Sequence, residues 1–212
     1  MKIIALNGSP RKKFSCGPML ESFVNGVHYI NNNIEVKYIN IYDYNFKGCM
    51  SCLNCKIKNN PNHCMIKDDI QELLIEIRDC DAFVFASPIY YFDLSGELRS
   101  FFERLMYPGP VNKSIPIIAI YSMNANENEM LVSFRKHIDD IEMFLKHCFH
   151  SDIQELFAFN SLQRLGDDDL YKPSRSNHVE KRNRRNNEFP KDLKKAYSLG
   201  KSVARKLEEE RI

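Results

Sequence analysis

The amino-acid sequence predicts an α/β fold in which helices cover both faces of a parallel β-sheet. Residues 2–6, 82–86 and 115–121 are short and almost wholly apolar, as strands buried on both faces are. Between them lie segments with apolar residues at three- and four-residue spacing, which is typical of amphipathic helices. Because the two kinds of segment alternate along the chain, a parallel sheet is favoured over an antiparallel one.

The first half of the chain supplies three strands and two helices. Residues 2–6 form the first strand, and the apolar face of the first helix runs through residues 20–30. Residues 34–41 alternate apolar and polar side chains, which predicts a second strand nearer a sheet edge. The Asp68-Asp69 pair precedes the next helical pattern and is predicted to start that helix. Residues 82–86 form the third strand.

The second half continues the alternation. Asp93 is predicted to cap a third helix whose inward face lies within residues 94–105. Residues 115–121 form the fourth strand and residues 153–159 the fifth. Pro190 is predicted to open a last helix. The fourth helix is predicted to turn one apolar stripe inward, formed by Met130, Leu131, Phe134, Ile138, Ile141, Phe144 and Leu145.

Composition limits the kinds of protein this chain can be. The 212 residues are 43% hydrophobic and contain no apolar run long enough to span a bilayer, which predicts one domain over residues 1–212 and no membrane partner. The start shows no secretory signal, so we expect a cytoplasmic protein whose seven cysteines remain reduced. Thirty basic residues against 28 acidic ones leave a net charge of +2, which gives no reason to expect a nucleic-acid partner.

The loop at residues 7–17 has the composition of an anion site. It joins the first strand to the first helix, whose N-terminal N–H groups and dipole favour a phosphate. Ser9 and Ser15 offer hydroxyl groups, Arg11 offers a fixed charge, and Gly17 permits close approach of the backbone. The alternative is an ordinary strand-to-helix connection with a surface arginine.

Two further loops are expected at the same edge of the sheet. Residues 87–93 follow the third strand and residues 122–126 follow the fourth, and ligands bind at the carboxyl ends of such strands. Tyr90, Tyr91 and Phe92 in the first of these loops provide rings that suit a flat aromatic ligand. Their alternative role is simple packing beneath the loop. A phosphate site beside an aromatic loop suits a mononucleotide with a planar head.

Three motifs in this order resemble the NAD(P)H-dependent FMN reductase family, and in particular its iron-sulfur flavoproteins. The resemblance covers residues 1 to about 160 and rests on Gly8-Ser9-Pro10-Arg11, on Cys-x-x-Cys-x-x-Cys before Asp68-Asp69, and on Ser87-Pro88-Ile89-Tyr90-Tyr91 before Phe101-Phe102-Glu103-Arg104. It implies a flavodoxin-like three-layer sandwich with a five-stranded parallel sheet of order 2-1-3-4-5.

The resemblance also assigns roles to individual residues. It implies that the FMN phosphate is bound by Ser9, Arg11, Ser15, Cys16 and Gly17. It implies that the isoalloxazine ring is held by Pro88, Ile89, Tyr90, Tyr91 and Phe92. Its pyrimidine side would be closed by Ser122, Met123 and Asn124.

The function implied is flavin chemistry, in which no side chain need act as a catalytic acid or base. FMN would take hydride from NAD(P)H and pass electrons to a small acceptor, a redox partner protein or an iron-sulfur cluster. One alternative is an FMN-dependent electron-transfer protein without NAD(P)H turnover, and another is a nucleic-acid or interaction module acting through residues 181–185. The resemblance further implies a homodimer or homotetramer.

A cysteine cluster lies in an insertion at about residues 45–67. Cys49, Cys52 and Cys55 are followed by Cys64, and four thiolates at such spacing suit a 4Fe-4S cluster, as in the iron-sulfur flavoproteins. Free or redox-active thiols beside the flavin, structural zinc and a disulfide remain open as alternatives.

Residues 162–189 interrupt the alternation because they lack periodic apolar positions. We expect an irregular segment there. Its basic run at residues 181–185 has two interpretations. The first is a solvated or partner-packed excursion, and the second is a patch for the 2′-phosphate of NADPH or for an acidic partner.

Overall fold

Five parallel strands form the centre of the protein. The computed structural model describes residues 1–57, 63–163 and 178–210. The strands are β1 (Lys2–Asn7), β2 (Glu35–Asn40), β3 (Ala82–Pro88), β4 (Ile117–Ser122) and β5 (Ile153–Ala158). Their order is β2-β1-β3-β4-β5, and every neighbouring pair is parallel. The predicted sheet and its order are confirmed.

Helices cover both faces of this sheet. They are α1 (Cys16–Ile30), α2 (Gln71–Asp79), α3 (Gly96–Met106), α4 (Glu127–Glu129), α5 (Arg135–Phe149), α6 (His178–Asn187) and α7 (Phe189–Glu209). A single π turn, Met130–Phe134, joins α4 to α5. Successive strand residues point to opposite faces, so Ile4 and Leu6 pack with α2, α3 and α5 while Ile3 and Ala5 pack with α1 and α7. The result is the expected flavodoxin-like three-layer sandwich.

Helices α1 and α7 touch backbone to backbone through two glycines. A Cβ added at Gly26 would lie 2.0 Å from the carbonyl oxygen of Tyr197, and one added at Gly200 would lie 2.0 Å from that of Phe23. No larger residue fits either position without moving a helix. This contact fixes α1, whose N-terminus carries the loop at residues 7–17.

The two predicted helix starts at aspartates are wrong. Helix α2 begins at Gln71 without a capping side chain, because Asp68 forms an ion pair with the buried Arg104 and Asp69 accepts a hydrogen bond from the Asn45 N–H. Helix α3 begins at Gly96, and the Asp93 carboxylate accepts from the Leu94 N–H instead. The aspartates that the local sequence predicts as helix caps therefore bind other groups, through tertiary and turn contacts.

The predicted inward stripe of the fourth helix is only partly correct. Met130, Ile138, Ile141 and Leu145 are buried, whereas Leu131 and Phe144 are each 56% exposed. The π turn inserts one extra residue per turn near the start, so residues before and after it do not share one helical stripe. Beyond it the buried stripe is narrow, and Phe144 lies outside it.

The prediction of an irregular segment at residues 162–189 is wrong from residue 178 onward, where α6 forms; residues 164–177 lie outside the described part of the chain. Helix α6 has almost no apolar residues, and contacts with its neighbours stabilise it. Arg184 pairs with Asp192 at 2.7 Å, and the Arg185 guanidinium lies 3.9 Å from the centre of the Phe189 ring. These two arginines of the basic run therefore face α7 and do not form an open patch.

No helix within residues 1–57, 63–163 or 178–210 combines the length and the apolar character that a bilayer crossing requires.

Candidate cofactor-binding site

Four loops meet at the carboxyl ends of β1, β3, β4 and β5. They enclose a small cavity of about 50 Å³ lined by residues of the loop at 7–17, by residues 88–90 and 122–124, and by residues 161–163. The first three of these loops were predicted to converge here. Residues 161–163 were not, although they follow β5 at the same edge of the sheet.

The loop at residues 7–17 holds its shape through its own hydrogen bonds. The Ser9 N–H donates to Asn7 Oδ1 at 3.0 Å, and the Arg11 N–H donates to Ser9 Oγ at 3.2 Å. A Cβ at Gly17 would lie 1.7 Å from the Lys12 carbonyl oxygen, so the loop can close over α1 only with glycine there. Ser15, the residue before α1, makes no side-chain cap. The first N–H groups of α1 therefore lack a capping side chain beside this cavity.

Three serine hydroxyls in contact with one another line the cavity. Ser161 Oγ lies 3.4 Å from Ser15 Oγ and 3.0 Å from Ser122 Oγ, and it donates to the Ala158 carbonyl oxygen at 2.9 Å. Ser161 is a site residue that motif reasoning missed. Its position just after the fifth predicted strand could have identified it, because that strand ends at the same edge of the sheet.

Arg11 and Cys16 give the cavity its electrostatic character. The Arg11 guanidinium donates to the Gln163 carbonyl oxygen and lies 4.2 Å from the centre of the Phe14 ring. Burial raises the pKa of the Cys16 thiol to about 12, so this thiol remains neutral and can act only as a weak donor. One fixed cation, several hydroxyls and a helix N-terminus are a donor set that fits a phosphate group.

The aromatic loop ends in a tight turn. Tyr90 and Asp93 exchange backbone hydrogen bonds of 2.8 and 3.1 Å. Between them Tyr91 has φ of 48° and Phe92 has φ of 72°, values that favour glycine or asparagine. Tyr91 is 99% exposed, so packing against this chain does not offset its strain. Strained backbone of this kind concentrates at ligand sites.

A larger cleft of about 950 Å³ adjoins the small cavity, and the two share Ile89, Tyr90, Met123, Asn124 and Gln163. One wall of the cleft is aromatic. It is formed by Tyr90, Tyr91 and Phe92 of the turn at residues 90–93, the aromatic turn, and by Phe134, whose ring centre lies 4.8 Å from that of Phe92. The lining of the cleft also contains polar residues, among them Asn126, Glu129 and Lys181. A flat ring with one polar edge fits such walls.

Three backbone hydrogen bonds fix the loop after β4. The Met123 N–H donates to the Ala158 carbonyl oxygen at 3.0 Å, and the Ser161 N–H donates to the Met123 carbonyl oxygen at 2.9 Å. Ile89 in the aromatic loop donates its N–H to the Ser122 carbonyl oxygen at 2.8 Å. These bonds join the loops predicted to hold the ring to those predicted to close its pyrimidine side.

All four cysteines of the insertion line a second small cavity, on the side of α3. Arg104 lines it too, and its Nε lies 3.4 Å from the Cys64 Sγ. Arg104 also binds Asp68 and the carbonyl oxygens of Lys47 and Ile66, so it ties both ends of the insertion to α3. Within the described residues, no three His, Cys, Asp or Glu side chains are arranged to hold a metal ion.

Both the sequence and the fold of this chain are similar to those of known proteins. An iron-sulfur flavoprotein of Archaeoglobus fulgidus is 29% identical over 106 residues, which are 50% of this chain and 46% of that protein. The chain thus spans about half the length of the curated relatives it matches. Solved structures share the fold, among them two reductases. The NAD(P)H:quinone oxidoreductase of Methanothermobacter marburgensis has a TM-score of 0.68 at 15% identity, covering 96% of each chain. The azoreductase of Bacillus anthracis has a TM-score of 0.67 at 11% identity, covering 95% of this chain and 99% of its own.

The chain also matches the profile of a whole protein family. The sequence profile described as NADPH-dependent FMN reductase matches residues 1–145, which include β1 to β4 and the first three loops of the site. The chain belongs to the NADPH-dependent FMN reductase family.

Proposed function

We propose that this protein is an FMN-dependent oxidoreductase. The observation that carries the proposal is that two spaces adjoin: a cavity lined by serines and Arg11 at an uncapped helix N-terminus shares five lining residues with an aromatic-lined cleft. A phosphate and a flat ring joined by a short chain require these two spaces side by side. Family membership supports the same cofactor.

The chain's residues would bind and orient FMN. Ser9, Ser15, Arg11 and the first N–H groups of α1 would hold the phosphate. Residues 88–92 would form one wall against the ring, and residues 122–124 would close its pyrimidine side. Bound FMN would supply hydride acceptance from NAD(P)H and electron transfer to an acceptor. The protein would keep water from the ring and hold it in one orientation.

Flavin uptake tests this proposal directly. Purified protein mixed with excess FMN and desalted should retain about one flavin per chain, seen as visible flavin absorption and quenched flavin fluorescence. Protein that remains colourless after this treatment contradicts the proposal. Added NADPH should then bleach the bound flavin without oxygen, and a quinone should restore its colour.

The second candidate is an FMN-dependent electron carrier without direct NAD(P)H turnover. The names of the iron-sulfur flavoprotein relatives favour it. In that case NADPH leaves fully loaded flavin oxidised under anaerobic conditions, whereas dithionite still reduces it. NADH tested beside NADPH gives the nicotinamide preference in the same experiment.

We also propose that the insertion binds a 4Fe-4S cluster through Cys49, Cys52, Cys55 and Cys64. The four cysteines share one cavity, and their donor chemistry suits the cluster. Within the described residues the thiols are not grouped to hold a single metal ion, but a 4Fe-4S cluster binds each cysteine at a different iron and so needs a wider spacing. Anaerobic reconstitution should give about four iron and four sulfide per chain, and Cys52→Ser should lower that yield. Zinc alone, or protein without metal, contradicts the cluster.

The assembly proposed is a homodimer or homotetramer. Tyr91 and Phe92 are exposed at the cleft, and Leu131 and Val132 are exposed on the nearby π turn. Apolar side chains concentrated at one face are typical of an interface. Light scattering should give two or four times the mass of one chain, and a monomer at micromolar concentration contradicts this proposal.

A further inference from the structure

One basic residue of α6 faces the cleft. Lys181 is only 5% exposed, although lysine is rarely buried, and it lines the same cleft as the aromatic turn. Its Nζ donates a hydrogen bond to the Asn124 carbonyl oxygen at 3.3 Å. Asn124 belongs to the loop that the family resemblance assigns to the pyrimidine side of the flavin.

Burial of this ammonium group has an energetic cost. Burial lowers the pKa of Lys181, while the nearby carboxylates of Glu129 and Glu180 act in the opposite direction. Arg184 and Arg185 of the same helix are directed to Asp192 and Phe189 on α7. Lys181 instead donates to the Asn124 carbonyl oxygen and lines the cleft.

We infer that Lys181 fixes the Asn124 loop and places a positive charge at the pyrimidine edge of the bound flavin. This inference rests on the proposed FMN site. Bound FMN would accept hydride together with its electron pair, and the reduced ring would then carry negative charge on its pyrimidine side. A cation at that edge stabilises the reduced ring more than the oxidised one. Family membership does not assign this role, because the family match ends at residue 145.

The test uses sulfite as a probe, together with the reduction potential. Sulfite donates its sulfur lone pair to N5 of oxidised flavin, and the electron pair displaced by this new bond places negative charge on N1 and the C2 oxygen. Lys181→Met removes the charge and keeps most of the length, and Lys181→Arg keeps the charge. Lys191→Met is the matched control, because Lys191 is exposed and pairs with Glu188 on the surface.

We expect Lys181→Met to weaken sulfite binding about tenfold or more and to lower the flavin potential. Lys181→Arg and Lys191→Met should stay within about threefold of wild type. If Lys181→Met loses FMN while Lys181→Arg retains it, the charge is needed even to bind the ring, which also supports the inference.

Two results overturn the inference without affecting the proposed function. One is a Lys181→Met protein with wild-type sulfite affinity and potential. The other is equal loss of FMN from the Met and Arg variants when both melt as wild type does. Wild-type protein that takes up no FMN is a separate outcome, and it overturns the proposed function together with this inference.

Discussion

Arg11 is a fixed cation at the small cavity. Its contribution to FMN affinity can be measured separately from the contribution of the residues around the ring. If it binds the FMN phosphate, Arg11→Met should weaken FMN binding about tenfold or more, because a charge-assisted contact is lost. Riboflavin has the same ring but no phosphate, so its affinity should change little. Isothermal titration or fluorescence quenching measures both. Lys12→Met is the matched control, since Lys12 pairs with Asp43 at 2.5 Å on the surface.

Equal losses for FMN and riboflavin in Arg11→Met would contradict a phosphate role. They would indicate that the guanidinium shapes the pocket through its contacts with Gln163 and Phe14. Equal losses in Lys12→Met would instead point to a general charge effect of the loop.

If the aromatic turn binds the flavin, Tyr91 lowers the stability of the fold while its side chain contributes to FMN binding. Its φ of 48° is strained for tyrosine, and its side chain is exposed. Tyr91→Asn should raise stability by about 1 kcal/mol and the melting temperature by about 2–4 °C, since asparagine tolerates this conformation. FMN affinity should fall. Tyr91→Phe, which keeps both strain and ring, should change neither in thermal-shift and titration measurements. A Tyr91→Asn protein that melts at or below the wild-type temperature would contradict the strain argument.

The position of three predicted residues follows from the fold, whereas their role in binding FMN stays a prediction. Ser9, Arg11 and Ser15 lie at the predicted cavity because a loop after a buried strand must meet the carboxyl edge of the sheet. Ser161 was missed, because it belongs to no motif. Lys181 was noted only as part of the basic run at residues 181–185, and only the folded chain brings it to Asn124. Asp68 failed as a cap because the sequence does not show that Arg104 is its partner.

The crossing of α1 and α7 determines where the N-terminus of α1 lies. Gly200→Ala should destabilise the protein by about 3 kcal/mol or more, since the added methyl group would meet the Phe23 backbone. Gly96→Ala is the matched control: a Cβ there meets nothing within 4 Å, so stability should stay level or rise by up to about 1 kcal/mol. Urea denaturation followed by circular dichroism measures both. Equal stability of the two variants would mean that the helices can separate at little cost.

At the scale of elements, periodicity predicted all five strands and the helices that join them. Helix α6 escaped prediction because its stabilising contacts are polar and depend on α7, as in the pair of Arg184 with Asp192. The π turn at Met130–Phe134 also escaped, because no local pattern in the sequence marks an extra residue in a helical turn. Tertiary contacts and local irregularities therefore account for the differences between the predicted and observed elements.

At the scale of the whole molecule, one buried carboxyl should link folding to pH. Glu142 on α5 accepts a hydrogen bond from Tyr121 Oη at 3.0 Å. Desolvation and the nearby Glu155 raise its pKa to about 7, while Arg135 acts in the opposite direction. Lys146 also lies 3.8 Å away. The folded state therefore holds a proton on Glu142 over a pH range in which the unfolded chain has already released it.

This excess proton sets the sign of the pH dependence. The stabilising contribution of Glu142 is full below pH 4.5, its ordinary pKa, and is lost as pH rises through about 7. Between pH 5 and 8, wild type should lose about 2–3 kcal/mol of unfolding free energy relative to Glu142→Gln. Subtracting the two urea-denaturation series removes the contributions of all other titrating groups. Asp139→Asn is the control, because Asp139 contacts the same Arg135 but is exposed. A difference between wild type and Glu142→Gln that stays constant from pH 5 to 8 would show that Glu142 remains ionised in the folded protein.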